Sequence, residues 1–138
     1  MAAIRTHRIA DGVMYAHHPP HRDGTIDKSQ WRITEQDERS SFQDCRTKHW
    51  FSENTGWGLH FANGSVSYLG MGRDHQTSVF VAKFVSQLNR KLWHGYPADH
   101  QRSTTDIPSE AVRRQWLEFK LLTAAKIRKL SRGQPCSL

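Results

Sequence analysis

Apolar and polar residues alternate on both sides of the dipeptide Asn63-Gly64, and this is the clearest local pattern in the chain. The apolar members are Leu59, Phe61, Val66 and Tyr68. Because Asn-Gly readily adopts the positive φ angles of a two-residue type I′ turn, the pattern predicts a β-hairpin. A strand at His49-Trp50-Phe51 could add a third member, since a lone hairpin is marginally stable in water.

Capping residues predict a helix in the first half of the chain. Thr34 is followed by two acidic residues, which resembles an N-cap with acids in the first turn. We expect a short, polar helix from Glu35 to Arg46 that faces Phe42 and Cys45 inward.

Two helices are also predicted at the end of the chain. Asp106 and Pro108 begin a helical region. Its apolar members are Val112, Trp116, Phe119 and Leu122. Thr123 can cap a second short helix, Ala124 to Arg132, which Gly133 closes.

The stretch from Ser78 to Trp93 carries two competing signals. Val79-Phe80-Val81 has the composition of a strand. Apolar residues nevertheless recur at three- and four-residue spacing, at Val81, Phe84, Val85, Leu88 and Leu92. Period outranks composition over this length, so we predict a helix capped by Thr77 or Ser78. Gly95 and Pro97 then predict a loop over residues 93–97, which continues to residue 105.

Residues 1–28 show no sustained pattern and contain Gly12, Pro19, Pro20 and Gly24. We interpret them as a flexible N-terminal arm. The alternative is that scattered apolar residues anchor part of it as a short edge strand: Ile4, Ile9, Val13, Met14 and Tyr15. The predicted fold class is α+β. Residues 29–138 would form a single domain, a small antiparallel sheet built on the Asn63-Gly64 hairpin, packed by three to four helices and ending in a basic helix.

Charge and cysteine content narrow the class of partner and compartment. The 138 residues carry a net charge of +7, which favours nucleic acid or an acidic protein surface as partner, with simple solubilisation as the alternative. The two cysteines form no disulfide framework, and neither a signal peptide nor a stretch of membrane-spanning length is present. The expected location is cytoplasmic, with no membrane association.

The basic residues concentrate at the end of the chain. No acidic residue follows Glu118, whereas five cations do: Lys120, Lys126, Arg128, Lys129 and Arg132. Contact with phosphates is one interpretation, and a solvated helix face is the other. Two helices joined near Leu122-Thr123 also resemble a helix–turn–helix, although its turn glycine is missing.

A second candidate nucleic-acid site is the predicted loop around Trp93-His94-Gly95-Tyr96-Pro97. Its aromatic residues could stack on unpaired bases beside three cations, Arg90, Lys91 and Arg102. The alternative is that Trp93 and Tyr96 fold back as core anchors.

The nine histidines suggest two further sites, neither of which is favoured. His17, His21, Cys45 and His49 include two pairs with ligand-like spacing for zinc. His60 and His94 could serve as base and acid in metal-independent cleavage of RNA. The favoured interpretation is a non-enzymatic binding domain without a cofactor that engages nucleic acid, as an inhibitor or accessory protein of a defence, toxin or nucleic-acid-processing system. The alternatives are a small histidine-dependent ribonuclease of toxin type and an inhibitor that binds another protein directly.

Overall fold

The computed structural model describes residues 4–87 and 89–138, and within these residues the chain forms eleven strands and three α-helices. The strands are β1 (Arg5–Ala10), β2 (Val13–His17), β3 (Gln30–Trp31), β4 (Phe51–Ser52), β5 (Thr55–Gly58), β6 (His60–Ala62), β7 (Ser65–Ser67), β8 (Gly70–Met71), β9 (Ser78–Val79), β10 (Ala82–Gln87) and β11 (Leu92–Pro97). The helices are α1 (Glu35–Thr47), α2 (Glu110–Glu118) and α3 (Ala124–Ser131), with short 3-10 helices at Pro19–His21 and Thr104–Asp106. The α+β class is therefore confirmed.

The largest sheet has six strands in the order β1-β2-β11-β10-β5-β4. All neighbours are antiparallel except β2 and β11, which run parallel. A three-stranded sheet, β3-β8-β9, and the two-stranded β6-β7 complete the fold. The molecule is dominated by its sheets, so the prediction of one small sheet packed by three to four helices is wrong in its proportions.

The predicted hairpin is present, with Asn63 at φ 54° and Gly64 at φ 80°. The hairpin is not part of the main sheet, however, because among the described residues its two strands pair only with each other. Phe51 pairs instead with Gly56 in the main sheet. The proposed third hairpin strand over residues 49–51 is therefore wrong.

Most of the predicted flexible arm is ordered structure. β1 and β2 form one edge of the main sheet, and the Tyr15 side chain on β2 is fully buried. The prediction of an arm over residues 1–28 is corrected for residues 5–17, where the alternative of an anchored edge strand is closer. Residues 1–3 lie outside the described part of the chain.

The helix predicted from Ser78 to Trp93 is wrong, because the chain forms β10 and β11 there. β10 lies inside the sheet, and consecutive residues Ala82, Lys83 and Phe84 are all buried. A strand covered on both faces loses its alternating pattern, and its apolar residues can then mimic helical spacing. Leu88, which belonged to the predicted stripe, lies outside the described residues.

The predicted loop over residues 93–97 is likewise a strand. Gly95 sits directly under the Phe84 ring, where a Cβ atom would come within 2.3 Å of Phe84 Cδ1. The glycine therefore serves close packing rather than chain reversal. Pro97 is the last residue of this strand.

α1 covers one face of the main sheet, as its predicted capping suggests. The Thr34 hydroxyl accepts a hydrogen bond from Asp37 N at 3.0 Å, which confirms the N-cap. Phe42 and Cys45 are buried as expected. Gly56 and Gly58 of β5 allow the helix to approach closely, since a Cβ atom at either would meet α1 side chains at 2.6 Å.

The two C-terminal helices are confirmed, with one difference in what they bury. Thr123 caps α3 through Lys126 N, and Gly133 ends it at φ 65°. α2 is capped by Ser109. Phe119, one of the apolar members of the predicted helical region, is 65% exposed because α2 ends at Glu118 and the chain turns there. Among the described residues, no helix is long and apolar enough to cross a membrane.

Candidate functional site

The five cations after Glu118 lie at or next to the surface of α3, and we call them the C-terminal basic surface: Lys120, Lys126, Arg128, Lys129 and Arg132. α3 is held by Leu130, which is fully buried, and by Ile127, which packs partly against the core. Of the basic residues here, Arg128, Lys129 and Arg132 are exposed, whereas Lys126 is half-buried. Arg128 and Lys129 also complement the negative end of the helix dipole.

None of these five cations forms an ion pair within residues 4–87 and 89–138. Six cations elsewhere do: Arg5 with Glu35, Arg8 with Asp11, Arg22 with Glu38, Lys83 with Asp106, Arg102 with Asp74 and Asp99, and Arg114 with Glu110. None of the five charges of the C-terminal basic surface is therefore paired with a carboxylate in the described residues, whereas six of the fifteen Lys and Arg residues elsewhere are.

The second predicted nucleic-acid site is largely built into the core. Trp93 is fully buried, and its Nε1 donates to Arg90 O at 2.9 Å, so it is a core anchor and the prediction that it stacks on bases is wrong. The Tyr96 ring stacks on His21 at 5.0 Å between ring centres, and its hydroxyl donates to Asp106 Oδ1 at 3.4 Å. Burial beside the Asp106 carboxylate raises the pKa of Tyr96.

The cations proposed for that site separate into two groups. Arg102 donates to Asp74 at 2.8 Å and lies 3.3 Å from Asp99, so its charge is neutralised. Arg90 and Lys91 are exposed in the turn between β10 and β11, and the Arg90 carbonyl accepts the hydrogen bond from Trp93 Nε1. Both cations can reach a partner, but the Trp93 ring beside them is buried and cannot stack on a base.

His94 takes part in a histidine stack that no sequence pattern indicated. Its ring lies on that of His18, with 3.8 Å between centres and 7° between planes. Burial, reinforced by the positive charge of neighbouring His18 and His21, lowers the pKa of His94 to about 4. Burial also lowers the pKa values of His18 and His21.

The proposed ribonuclease pair is not assembled. His60 lies on β6 of the separate hairpin, whereas His94 lies on β11 of the main sheet, and the two rings make no contact in the described part of the chain. A pKa near 4 also makes His94 a poor proton donor at neutral pH.

The four proposed zinc ligands are not brought together either. Cys45 lies on the buried face of α1, its Sγ donates to Trp50 O at 3.5 Å, and burial raises its thiol pKa to about 12. His49 is exposed just beyond α1, His17 packs beside Glu38, and His21 contacts Ser29 O at 2.8 Å. Within residues 4–87 and 89–138, no group of three His, Cys, Asp or Glu side chains is placed to hold a metal ion.

A buried carboxylate network was missed from the sequence. Glu38 is 1% exposed and accepts hydrogen bonds from the Tyr15 hydroxyl and from Arg22 Nη2 at 2.7 Å. His17 Nδ1 lies 3.1 Å from Glu38 Oε1, without the alignment of a hydrogen bond. Glu38 precedes Phe42 by four residues and Cys45 by seven, so its place on the apolar stripe of α1 was a signal available in advance. The network joins β2, the segment around Arg22 and α1.

Comparison of the chain with protein-family models, with curated proteins and with solved structures gives no match.

Proposed function

We propose that this chain is a non-enzymatic binding domain that holds nucleic acid by its phosphate backbone through the C-terminal basic surface. The observation that carries the proposal is the set of five cations, none of them ion-paired in the described residues, within a stretch, residues 119–138, that contains no acid. Like charges gathered on one short helix repel one another, and a polyanion relieves that repulsion.

The recognition would depend on charge rather than on base sequence. Lysine and arginine contacts to phosphates position a protein on nucleic acid without reading its bases. The aromatic residues first proposed for base stacking are occupied inside the fold, Trp93 by the core and Tyr96 by His21. We therefore propose binding that tolerates many sequences. The cytoplasm is the proposed location, since Cys45 and Cys136 are both free thiols.

The test is the salt dependence of binding, measured by fluorescence anisotropy with labelled duplex and single-stranded oligonucleotides. If the four α3 cations each neutralise one phosphate, the logarithm of the affinity for duplex falls with the logarithm of salt at a slope of about −3 to −4. Replacing Lys126, Arg128, Lys129 and Arg132 with Ala should remove most of that slope and weaken binding at least about tenfold at moderate salt.

A matched control separates the surface from the total charge. Replacing four exposed cations elsewhere, Arg5, Arg8, Lys28 and Arg114, with Ala lowers the net charge by the same amount, from +7 to +3 by the loss of four positive charges. This control should keep a slope within about one unit of the original. Equal losses in the two variants would show that total charge rather than α3 carries the binding. Cleavage of the oligonucleotide in metal-free buffer would contradict the assignment as a non-enzyme.

A further inference from the structure

Two large apolar side chains are left in solvent at the end of α2. Phe119 is 65% exposed and Leu117 is 42% exposed. Phe119 is the C-cap of the helix, and its N–H donates to Gln115 O at 2.9 Å. This backbone hydrogen bond does not depend on the side chain, so ending the helix does not require an aromatic residue. Phe119 lines the groove described next, and Leu117 lines a second cavity nearby. Exposed apolar surface of this kind marks an interaction site where it extends into a contiguous patch.

The groove beside Phe119 is built by the ends of two helices that stop in the same way. Beyond α1, Trp50 N donates to Cys45 O at 2.8 Å, and beyond α2, Leu121 N donates to Trp116 O at 2.9 Å. In this closing motif the donating residue folds its side chain back against the last turn of the helix. Trp50 and Leu121, which close the two helices, line the same cavity.

The same residues make the walls rigid. The Trp50 and Trp116 rings meet edge to face with 5.6 Å between centres, and Trp50 Nε1 donates to Gln115 Oε1 at 3.2 Å. The resulting cavity has a volume of about 400 Å³ and is lined by Lys48, Trp50, Gln115, Phe119 and Leu121, which we call the Phe119 groove. A second cavity of about 480 Å³ lies on the other side of Leu121.

Lysines border both cavities. Lys48 Nζ lies 5.1 Å from the centre of the Trp50 ring and 5.5 Å from that of Phe61, which holds its ammonium group over the apolar wall. Lys120 and Lys126 line the second cavity. None of the three forms an ion pair within the described residues, and neither residues 54–73 nor residues 119–138 contain an acid. The carboxylates next to these residues in sequence are Glu118, which precedes Phe119, and Asp44, four residues before Lys48 on α1.

We propose that the Phe119 groove docks an acidic, apolar segment of a partner protein. Apolar side chains of the segment enter the cavity between Trp50 and Leu121, and its carboxylates face Lys48 and Lys120. A second copy of this chain is disfavoured as occupant, since each copy carries a net charge of +7 and would bring lysines against lysines. The proposal shares Lys120 with the C-terminal basic surface but uses none of the four cations that the nucleic-acid test replaces, Lys126, Arg128, Lys129 and Arg132.

The experiment is a selection from a displayed library of random 16-residue peptides with the full chain as bait, followed by affinity measurement on synthetic copies of the enriched peptides. We expect enriched peptides to combine Asp or Glu with Leu, Phe or Trp. Phe119→Ser should weaken their binding at least about tenfold and Lys48→Glu at least about threefold. The matched controls are Ile26→Ser, at an apolar side chain that is 82% exposed elsewhere, and Lys28→Glu, at an exposed lysine, and both should bind as the original chain does.

Four results would overturn the proposal. The selection could enrich no peptides, or it could enrich peptides without acids. Phe119→Ser could leave peptide binding unchanged, or it could weaken the binding of a single-stranded oligonucleotide. The last result would make the groove a base-stacking surface. Circular dichroism of Phe119→Ser checks that this exposed substitution leaves the fold intact. The fourfold α3 variant should keep its peptide affinity, so that failure of the docking proposal and failure of the nucleic-acid proposal give different results.

Discussion

The stack of His94 on His18 makes the stability of this protein dependent on pH. The two rings lie 3.8 Å apart and nearly parallel, and the half-buried His94 has little water to solvate a charge. Burial and the neighbouring His18 and His21 lower its pKa to about 4, while Glu38 acts in the opposite direction and does not compensate. The folded state therefore favours the neutral imidazole.

The size and direction of the effect follow from the difference between the folded and unfolded pKa values. An unfolded histidine binds its proton near pH 6.5, so between pH 6.5 and about 4 the unfolded state holds more protons than the folded state. The contribution to the free energy of unfolding is fully present above about pH 6.5 and is lost as the pH falls toward 4. The full difference corresponds to at most about 3.4 kcal/mol, and screening by solvent at this partly exposed ring reduces it to about 1–2 kcal/mol.

Urea unfolding at pH 7.0, 6.0, 5.0 and 4.5, followed by tryptophan fluorescence, measures this loss. His94→Phe keeps a flat ring for His18 to stack on but accepts no proton, so its stability should fall by about 1–2 kcal/mol less than that of the original chain over this range. His94→Gln loses both the ring and the proton site, and separates stacking from titration. It should be less stable than His94→Phe at pH 7 and should show the same flattened dependence on pH.

The reasoning fails if the original chain and His94→Phe lose stability in parallel as the pH falls. Carboxylates also titrate near pH 4, which is why the difference between the two proteins, rather than either curve alone, carries the conclusion. A ring-proton titration of His94 by NMR gives a direct check, and a midpoint near 6.5 would contradict the burial argument.

Two further predictions concern residues with positive φ angles. Gly64→Val should cost about 1–3 kcal/mol of stability in thermal unfolding. The cost would come from backbone strain alone, since no atom lies within 4 Å of the added Cβ. The control Ser65→Val, at the neighbouring exposed residue, should change stability by less than about 0.5 kcal/mol in the same assay. Lys120→Gly should stabilise the fold by about 0.5–1 kcal/mol, because Lys120 occupies a left-handed position at φ 57°, and should at the same time weaken nucleic-acid binding. His49→Gly, at the equivalent position after α1 with φ 57°, should give the same gain in stability without loss of binding; equal binding losses in the two variants would contradict the role given to Lys120.

The parts of the fold that were predictable depend on interactions between residues close in sequence. The caps at Thr34 and Thr123 and the turn at Asn63-Gly64 each need only a few adjacent residues, and all three are present. The three- and four-residue spacing around Phe84 misled because β10 lies between β11 and β5 and is covered on both faces. Phe84 packs on Phe42 of α1, and Lys83 Nζ donates to Thr105 O. Those contacts are remote in sequence and leave no local pattern.

The candidate site shows the same division. That α3 carries no acid is visible in the sequence, so the unpaired cations of α3 were predictable. The neutralisation of Arg102 was not, because its partner Asp74 lies 28 residues away and is brought near by the fold. The burial of Trp93 was considered as an alternative, but the strand that buries it was not predicted, since that strand requires β11 to pair with β10 on one side and β2 on the other.

Several residues of this protein lie where their side chain or backbone angle lowers stability, and only some of them make contacts that offset the cost. The buried Glu38 is compensated by Tyr15 and Arg22, and His94 by its stack on His18. Three features receive no such compensation within the described residues: Phe119 in solvent, Lys120 in a left-handed position, and the unpaired cations of α3. For stability alone, serine would be better in place of Phe119, glycine in place of Lys120, and an acid among the α3 cations. Residues that lower stability without making a compensating contact are expected where a surface binds a partner. This contrast supports placing the function of the protein at the C-terminal helices rather than at the histidine stack.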